Sequence, residues 1–133
     1  MRAHMRIHRS LLLALSIGLV APLSVACRSS NAYDVNNAEP DRVLLTVKND
    51  NFLEADIYAV SNGLATRIGA VSGLSTKEFA LNSTLYTATD FRIVAAPIGG
   101  NGRASSGSLP VHAGQTIEFT IGNRLAASHA DIH

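Results

Sequence analysis

The chain contains very little cysteine and methionine and no tryptophan. Its 133 residues include no tryptophan, one cysteine (Cys27) and two methionines, Met1 and Met5. A single cysteine excludes an internal disulfide, and the absence of a Cys-Trp-Cys set excludes an antibody-type domain. A blue-copper site is excluded as well, because it needs a cysteine thiolate within the fold and Cys27 precedes the predicted domain.

The first 26 residues have the three-part layout of an export signal. Three arginines precede an uncharged apolar run at 11–21, and the small residues Ser24 and Ala26 occupy the cleavage positions. The apolar run is shorter than the roughly 20 residues that a transmembrane helix needs. Residues 1–26 are therefore predicted to be a signal peptide that is removed.

The segment Leu23-Ser24-Val25-Ala26-Cys27 resembles the lipobox of bacterial lipoproteins. In that family the cysteine thiol receives a diacylglyceryl group and the cysteine becomes the new N-terminus. The resemblance implies a membrane anchor at Cys27, facing the periplasm or the cell surface. Arg28 stands where an aspartate marks inner-membrane retention, which implies the outer membrane if the host has one. Ordinary secretion after Ala26 stays open, although it leaves an unpaired thiol in an oxidising compartment.

The charge balance of the mature chain argues against a nucleic-acid partner. Three of the eleven basic residues leave with the signal, so that eight face ten acidic residues and the formal charge is −2. No basic cluster that would neutralise phosphates remains. Residues 27–41 are polar and lack an apolar period, which predicts a lipidated N-terminus on a flexible tether that spans up to roughly 45 Å.

From residue 42 onward, apolar residues alternate with period two in short segments that turn signals separate. The clearest turn is Asn62-Gly63, a dipeptide typical of tight hairpins. The predicted strands are 43–48, 55–60, 64–71, 76–81, 91–96, 109–111 and 116–121. This spacing predicts one all-β domain over 42–124, a seven-stranded antiparallel β-sandwich of immunoglobulin-like or related Greek-key type.

Two short segments, Ala55-Asp56-Ile57-Tyr58 and Ala113-Gly114-Gln115-Thr116, resemble uncharacterised cell-envelope sandwich domains of bacteria. That resemblance implies no activity. The core is predicted to contain all four phenylalanines of the chain, Phe52, Phe79, Phe91 and Phe119.

The residues that carry catalysis are sparse. His112 is the only histidine within 42–124, beside a predicted turn, and no serine lies in a G-x-S-x-G motif. A catalytic triad needs a nucleophile beside a base that a third group orients. The chain is therefore predicted not to be an enzyme and to need no cofactor.

The C-terminal residues contain one pattern of metal-type ligands. His129, Asp131 and His133 alternate, so in an extended strand they would share one face. Zinc accepts both residue types, although the tail would have to curl around the ion. The competing prediction is that residues 125–133 are disordered, as termini often are.

The sequence thus predicts a non-enzymatic, membrane-anchored cell-envelope lipoprotein that acts as a protein-interaction or accessory domain. Within the glycine-rich loop 99–107, Asn101 and Arg103 are the predicted contact residues for an envelope protein partner. The alternative is a small-molecule or metal-binding periplasmic module that uses this loop or the histidine tail.

The lipid anchor has a direct test. Metabolic labelling with a fatty acid is expected to mark the wild-type protein and not Cys27→Ala, because the thiol is the site of attachment. A wild-type protein that is unlabelled and fully soluble would contradict the lipoprotein interpretation.

Overall fold

The computed structural model describes residues 31–35 and 41–133; the predicted signal peptide and Cys27 lie outside the described residues. Within these described residues, one short helix, α1 (Ser83–Tyr86), and a 3-10 turn at Leu125–Ala127 accompany eight strands. The strands are β1 Val43–Asn49, β2 Ala55–Ser61, β3 Leu64–Val71, β4 Ser75–Leu81, β5 Arg92–Pro97, β6 Ala104–Ser105, β7 Thr116–Ile121 and β8 His129–Ile132. In this part of the chain, no helix has the length and apolar character needed to cross a membrane.

The strands form two four-stranded sheets. Sheet 1 has the order β4-β1-β7-β8 and sheet 2 the order β3-β2-β5-β6. Neighbouring strands are antiparallel except β1 and β7, which pair in parallel from Leu44 beside Thr116 to Asn49 beside Ile121. The all-β prediction is confirmed. The prediction of seven antiparallel strands is wrong, because the described residues form eight strands and the pair β1–β7 is parallel.

The differences from the predicted strands lie in the second half of the chain. Residues 109–111 form no strand, since Pro110 cannot donate to a ladder, although Leu109 and Val111 are buried and the Leu109 amide bonds to the Phe91 carbonyl at 2.8 Å. The short strand β6 instead pairs with β5 from within the predicted flexible loop.

The C-terminal tail, predicted to be disordered, forms the edge strand β8. The backbone amide of Thr116 donates to the His133 carbonyl at 3.0 Å, and the His133 amide donates to the Thr116 carbonyl at 2.9 Å. Ala130 and Ile132 pack against the core from this strand. The tail is ordered because it pairs with β7 and buries apolar side chains, so the folded unit extends to His133.

The two sheets contribute to one hydrophobic cluster. Phe79, Phe91 and Phe119 are fully buried in it, together with the inward residues of the alternating strands. Phe52 is the exception, because 74% of its surface is exposed at the loop between β1 and β2. The prediction that all four phenylalanines form the core is wrong for this residue.

A close contact at Gly69 joins the edges of the two sheets. The register between β2 and β3 shifts next to Ile57, which leaves Ile68 as an extra residue in β3. At the next position, a Cβ atom on Gly69 would lie 2.5 Å from Cε1 of Phe79. Only glycine leaves room there for the Phe79 ring.

Part of the predicted tether lies on the domain. The Asn31 side-chain amide donates to the Ile68 carbonyl at 3.1 Å, and the Ala80 amide donates to the Tyr33 carbonyl at 2.9 Å. Tyr33 also packs against the core. The prediction of a flexible tether is therefore wrong for residues 31–35, which backbone and side-chain hydrogen bonds hold against β3 and β4.

Asn49, at the end of β1, is the one buried polar residue in the described part of the chain. Its side-chain amide donates to the carbonyls of Leu53 at 2.9 Å, Ser72 at 3.1 Å and Val71 at 3.3 Å. Its side-chain oxygen accepts from the Asn51 amide at 3.0 Å. One side chain therefore connects sheet 1 to the end of β3 in sheet 2 and fixes two loops.

Replacing Asn49 should destabilise the domain far more than replacing the nearby Asn51. Asn49→Ala leaves one buried and two partly buried carbonyls without their donor, and each unsatisfied buried group costs about 1–3 kcal/mol. Each kcal/mol lowers the melting temperature by about 4–8 °C in a domain of this size. Asn51→Ala, which removes only exposed hydrogen bonds, is the control. Equal losses in thermal unfolding of the two variants would contradict the assigned role.

Candidate functional site

The outward face of sheet 2 carries apolar residues at positions where a solvated face would be polar. Tyr58 of β2 lies beside Val94 of β5, and Val60 lies beside Arg92. The inward neighbours Ile57 and Ile93 belong to the core cluster, whereas Val60 and Val94 do not. Both valines are nonetheless only 8% and 9% exposed, so neighbouring side chains cover them on the outward face.

These residues form the floor of a concavity of about 340 Å³, called here the sheet 2 concavity. Its lining residues are Tyr58, Val60, Gly63, Ala65, Arg92, Val94, Arg103 and Ser105. The strands β2, β3 and β5 provide the floor, and the hairpin turn and the residues that lead into β6 provide the sides.

Two arginines give the sheet 2 concavity a positive charge. Within residues 31–35 and 41–133, the guanidinium groups of Arg92 and Arg103 have no hydrogen-bond or ion-pair partner. The neighbouring Arg67 differs, because its Nε and Nη2 donate to Oδ1 of Asp56 at 3.0 and 2.7 Å. This hydrogen bond, together with the attraction between the charges, raises the pKa of Arg67.

The arrangement is suited to binding an anion. A guanidinium presents its donors in a planar fork that matches carboxylate or phosphate oxygens. Tyr58 adds an aromatic ring and a hydroxyl, and the two valines add apolar contact area. The lining contains no carboxylate, imidazole or thiol, so its residues offer recognition groups without a general base or a nucleophile.

The structure separates the two residues predicted to make contacts in the glycine-rich loop. Arg103 lines the sheet 2 concavity, whereas Asn101 is exposed and lies outside its lining. Tyr58 and Arg92 were not predicted as site residues. The signal that marks them is their position: both occupy outward positions of strands whose inward positions form the core.

His112 is exposed beside a second concavity of about 450 Å³. Its backbone amide donates to Oε1 of Gln115 at 2.8 Å, which shapes the turn before β7. The lining of this concavity includes no acidic residue, so no carboxylate there orients the imidazole as a catalytic base requires.

The three predicted metal ligands alternate on one exposed face of β8. His129, Asp131 and His133 lie across from β7, and Nε2 of His133 is 3.9 Å from Oε2 of Glu118. No group of three or more His, Cys, Asp or Glu side chains is placed to hold a metal ion anywhere in the described residues. The extended strand keeps alternate side chains roughly 6.5 Å apart, whereas zinc needs all its ligands at about 2.0–2.2 Å.

Zinc is therefore expected to leave the stability of the domain unchanged. A ligand that binds only the folded state raises the melting temperature, so thermal unfolding in excess zinc measures binding directly. His129→Ala and His133→Ala are the matched variants. A melting temperature that rises with zinc in the wild type and not in these variants would contradict this expectation and support the predicted metal site.

Comparison with known proteins gives likenesses to solved structures and none to sequences. No protein-family model matches the sequence, and no curated protein sequence matches it either. An NMR structure of a protein from Eubacterium rectale is similar at a TM-score of 0.45 and 8% sequence identity. The likeness covers 69% of this chain and 88% of that chain.

Proposed function

We propose that this chain is a non-enzymatic, membrane-anchored cell-envelope lipoprotein whose folded domain binds an acidic segment of a partner protein. The binding surface is the sheet 2 concavity, with Arg92 and Arg103 as its charged contacts and Tyr58 as its aromatic contact. The fold that presents this surface is a β-sandwich of immunoglobulin-like or related Greek-key type, in which sheets 1 and 2 face each other across the shared core.

The observation that carries this proposal is a pair of guanidinium groups that have no partner within the described residues and lie beside the apolar floor of the sheet 2 concavity. Arg67 on the same face is paired with the carboxylate of Asp56. Arg92 and Arg103 instead lie next to Val60, Val94 and Tyr58. Arginine and tyrosine are among the residues that contribute most binding energy at protein interfaces, because they combine contact area with directed hydrogen bonds.

The membrane anchor is the second part of the proposal. It is supported by the lipobox-like segment that ends at Cys27 and by the polar residues that connect it to the domain. Several acyl chains on one N-terminus hold a protein at a membrane without a transmembrane helix. An anchored domain meets membrane-bound partners at high local concentration, so a shallow binding surface is sufficient.

Site-specific photocrosslinking in the host tests the binding surface. A photoreactive phenylalanine analogue at Tyr58 is expected to form a protein adduct, because this position lies at the floor of the concavity. The double substitution Arg92→Glu and Arg103→Glu should abolish the adduct, since reversed charges repel an acidic segment. Arg124→Glu, in the exposed loop between β7 and β8, is the matched control and should leave the adduct unchanged.

The same analogue at Thr46, on the outward face of sheet 1, shows whether the adduct is specific to sheet 2. Equal adducts from Tyr58 and Thr46, or an adduct at Tyr58 that survives the double charge reversal, would contradict the proposed surface. A small anionic molecule in place of the protein partner would leave Tyr58 without a protein adduct.

A further inference from the structure

Five large apolar side chains are exposed in the described residues, and four of them lie at one end of the domain. Asn49, at the end of β1, pairs with Ser75 at the start of β4. Ala55, at the start of β2, pairs with Val71 and Pro97 at the ends of β3 and β5. The β1–β2 loop, the β3–β4 turn and the loop after β5 therefore lie at the same end of the domain. The four side chains there are Phe52, Leu53, Leu74 and Ile98, called here the loop-tip surface. The fifth, Leu64, stands alone at the opposite end, beside the Asn62-Gly63 turn.

The three loops of the loop-tip surface contact one another. The Leu74 amide donates to the Asn51 carbonyl at 3.0 Å, and the Ile98 amide donates to the Glu54 carbonyl at 2.7 Å. A Cβ atom at Gly73 would overlap the Phe52 carbonyl oxygen, so the turn before β4 packs directly on the loop after β1. The apolar side chains therefore form one patch rather than four separate contacts with water.

The exposure of these side chains is fixed by the backbone. The Leu53 amide donates to Oδ1 of Asn51 at 3.0 Å, and Asn49 holds the Leu53 carbonyl from inside. Leu74 has a φ of 55°, in the left-handed region that asparagine or glycine occupies at less cost. Its side chain is nevertheless 64% exposed. A leucine that is both strained and exposed adds nothing to the core, which indicates a role at the surface.

The anchor leaves little distance between the domain and the membrane. Asn31 is held at Ile68, three residues before the end of β3, which is the end that leads into the loop-tip surface. Cys27 is four residues before Asn31, and four extended residues reach at most about 13 Å. The three residues of β3 beyond Ile68 span about 10 Å. A lipid on Cys27 therefore lies within reach of the loop-tip surface, and the short connection keeps the domain close to the bilayer that holds this lipid.

We propose that the loop-tip surface is a membrane-docking surface, which inserts Phe52, Leu53, Leu74 and Ile98 into the bilayer that holds the lipid of Cys27. This inference rests on the membrane anchor of the proposed function. Apolar area strengthens attachment at a lipid interface, and a second attachment fixes how the anchored domain is oriented. The domain stands on the end that carries the loop tips, with Leu64 at its outer end.

The chain itself supplies the experiment, because it has no tryptophan and one cysteine. Phe52→Trp and Leu64→Trp each introduce a single fluorophore at sites that are 74% and 70% exposed and outside the core. The mature chain, Cys27 to His133, is coupled through the Cys27 thiol to a maleimide lipid in vesicles of phosphatidylethanolamine and phosphatidylglycerol. Tryptophan emission is then compared with and without dibrominated phosphatidylcholine, which quenches only fluorophores inside the bilayer.

The Phe52→Trp protein is expected to emit at shorter wavelength on the vesicles and to lose emission when the brominated lipid is present. The Leu64→Trp protein should keep its emission in both. Unquenched emission from both variants would overturn the proposal and leave the loop-tip surface to a protein partner. Equal quenching of both would overturn it as well, since the domain would have no fixed orientation.

The maleimide reaction attaches Cys27 to lipid whether or not the host acylates this residue. The membrane anchor and the docking surface are therefore tested independently of each other. An unlabelled Cys27 in the metabolic experiment removes the natural anchor and leaves the quenching result intact. A labelled Cys27 with unquenched Phe52→Trp keeps the anchor and removes the docking surface.

Discussion

The buried amide of Asn49 is the constraint on which one whole end of the domain depends. In an apolar interior, an amide must keep its hydrogen-bond partners, because an unpaired polar group is costly there. The carbonyls of Leu53, Val71 and Ser72 are therefore held at fixed positions around this side chain. Since Asn49 ends β1 of sheet 1 and Val71 ends β3 of sheet 2, the same contacts set how the two sheets meet.

The two proposed surfaces lie toward opposite ends of the domain. The sheet 2 concavity includes Gly63 and Arg92, which belong to the hairpin turn and the first residue of β5. The loop-tip surface begins beyond Pro97, at the other end of the same strand. With the loop tips in the bilayer, the concavity points away from it. One end of the fold then serves attachment and the other recognition, and the rigid strands between them keep the two apart.

The regular part of the fold is readable from the sequence, because period-two alternation and turn residues are local signals. The turn at Asn62-Gly63 has φ values of 51° and 76°, as the dipeptide predicts. Strands β6 and β8 were missed because each is short and is ordered by its partner strand rather than by its own residues. The parallel pairing of β1 with β7 was missed for a related reason: nothing local in either strand encodes its direction relative to the other.

The sites depend on information that residue type alone does not contain. Phenylalanine predicts burial, yet Phe52 is exposed because asparagine side chains fold its loop outward. The polarity of Asn31 predicts a free tether, yet its amide bonds to a β3 carbonyl. Of the residues in the sheet 2 concavity, only Arg103 was predicted, from its place in a glycine-rich loop. Tyr58 and Arg92 become visible once the inward and outward positions of β2 and β5 are known.

For a chain that is exported, as proposed above, the place of β1 in sheet 1 has a consequence for biogenesis. This strand lies between β4 and β7, and its parallel partner comes from near the opposite end of the sequence. The first strand to emerge from a translocation pore therefore has to wait for almost the last one before sheet 1 is complete. Such long-range pairing slows folding. In the proposed exported protein, slow completion of sheet 1 would keep the chain unfolded until translocation is nearly finished, and the domain would then fold on the far side of the membrane.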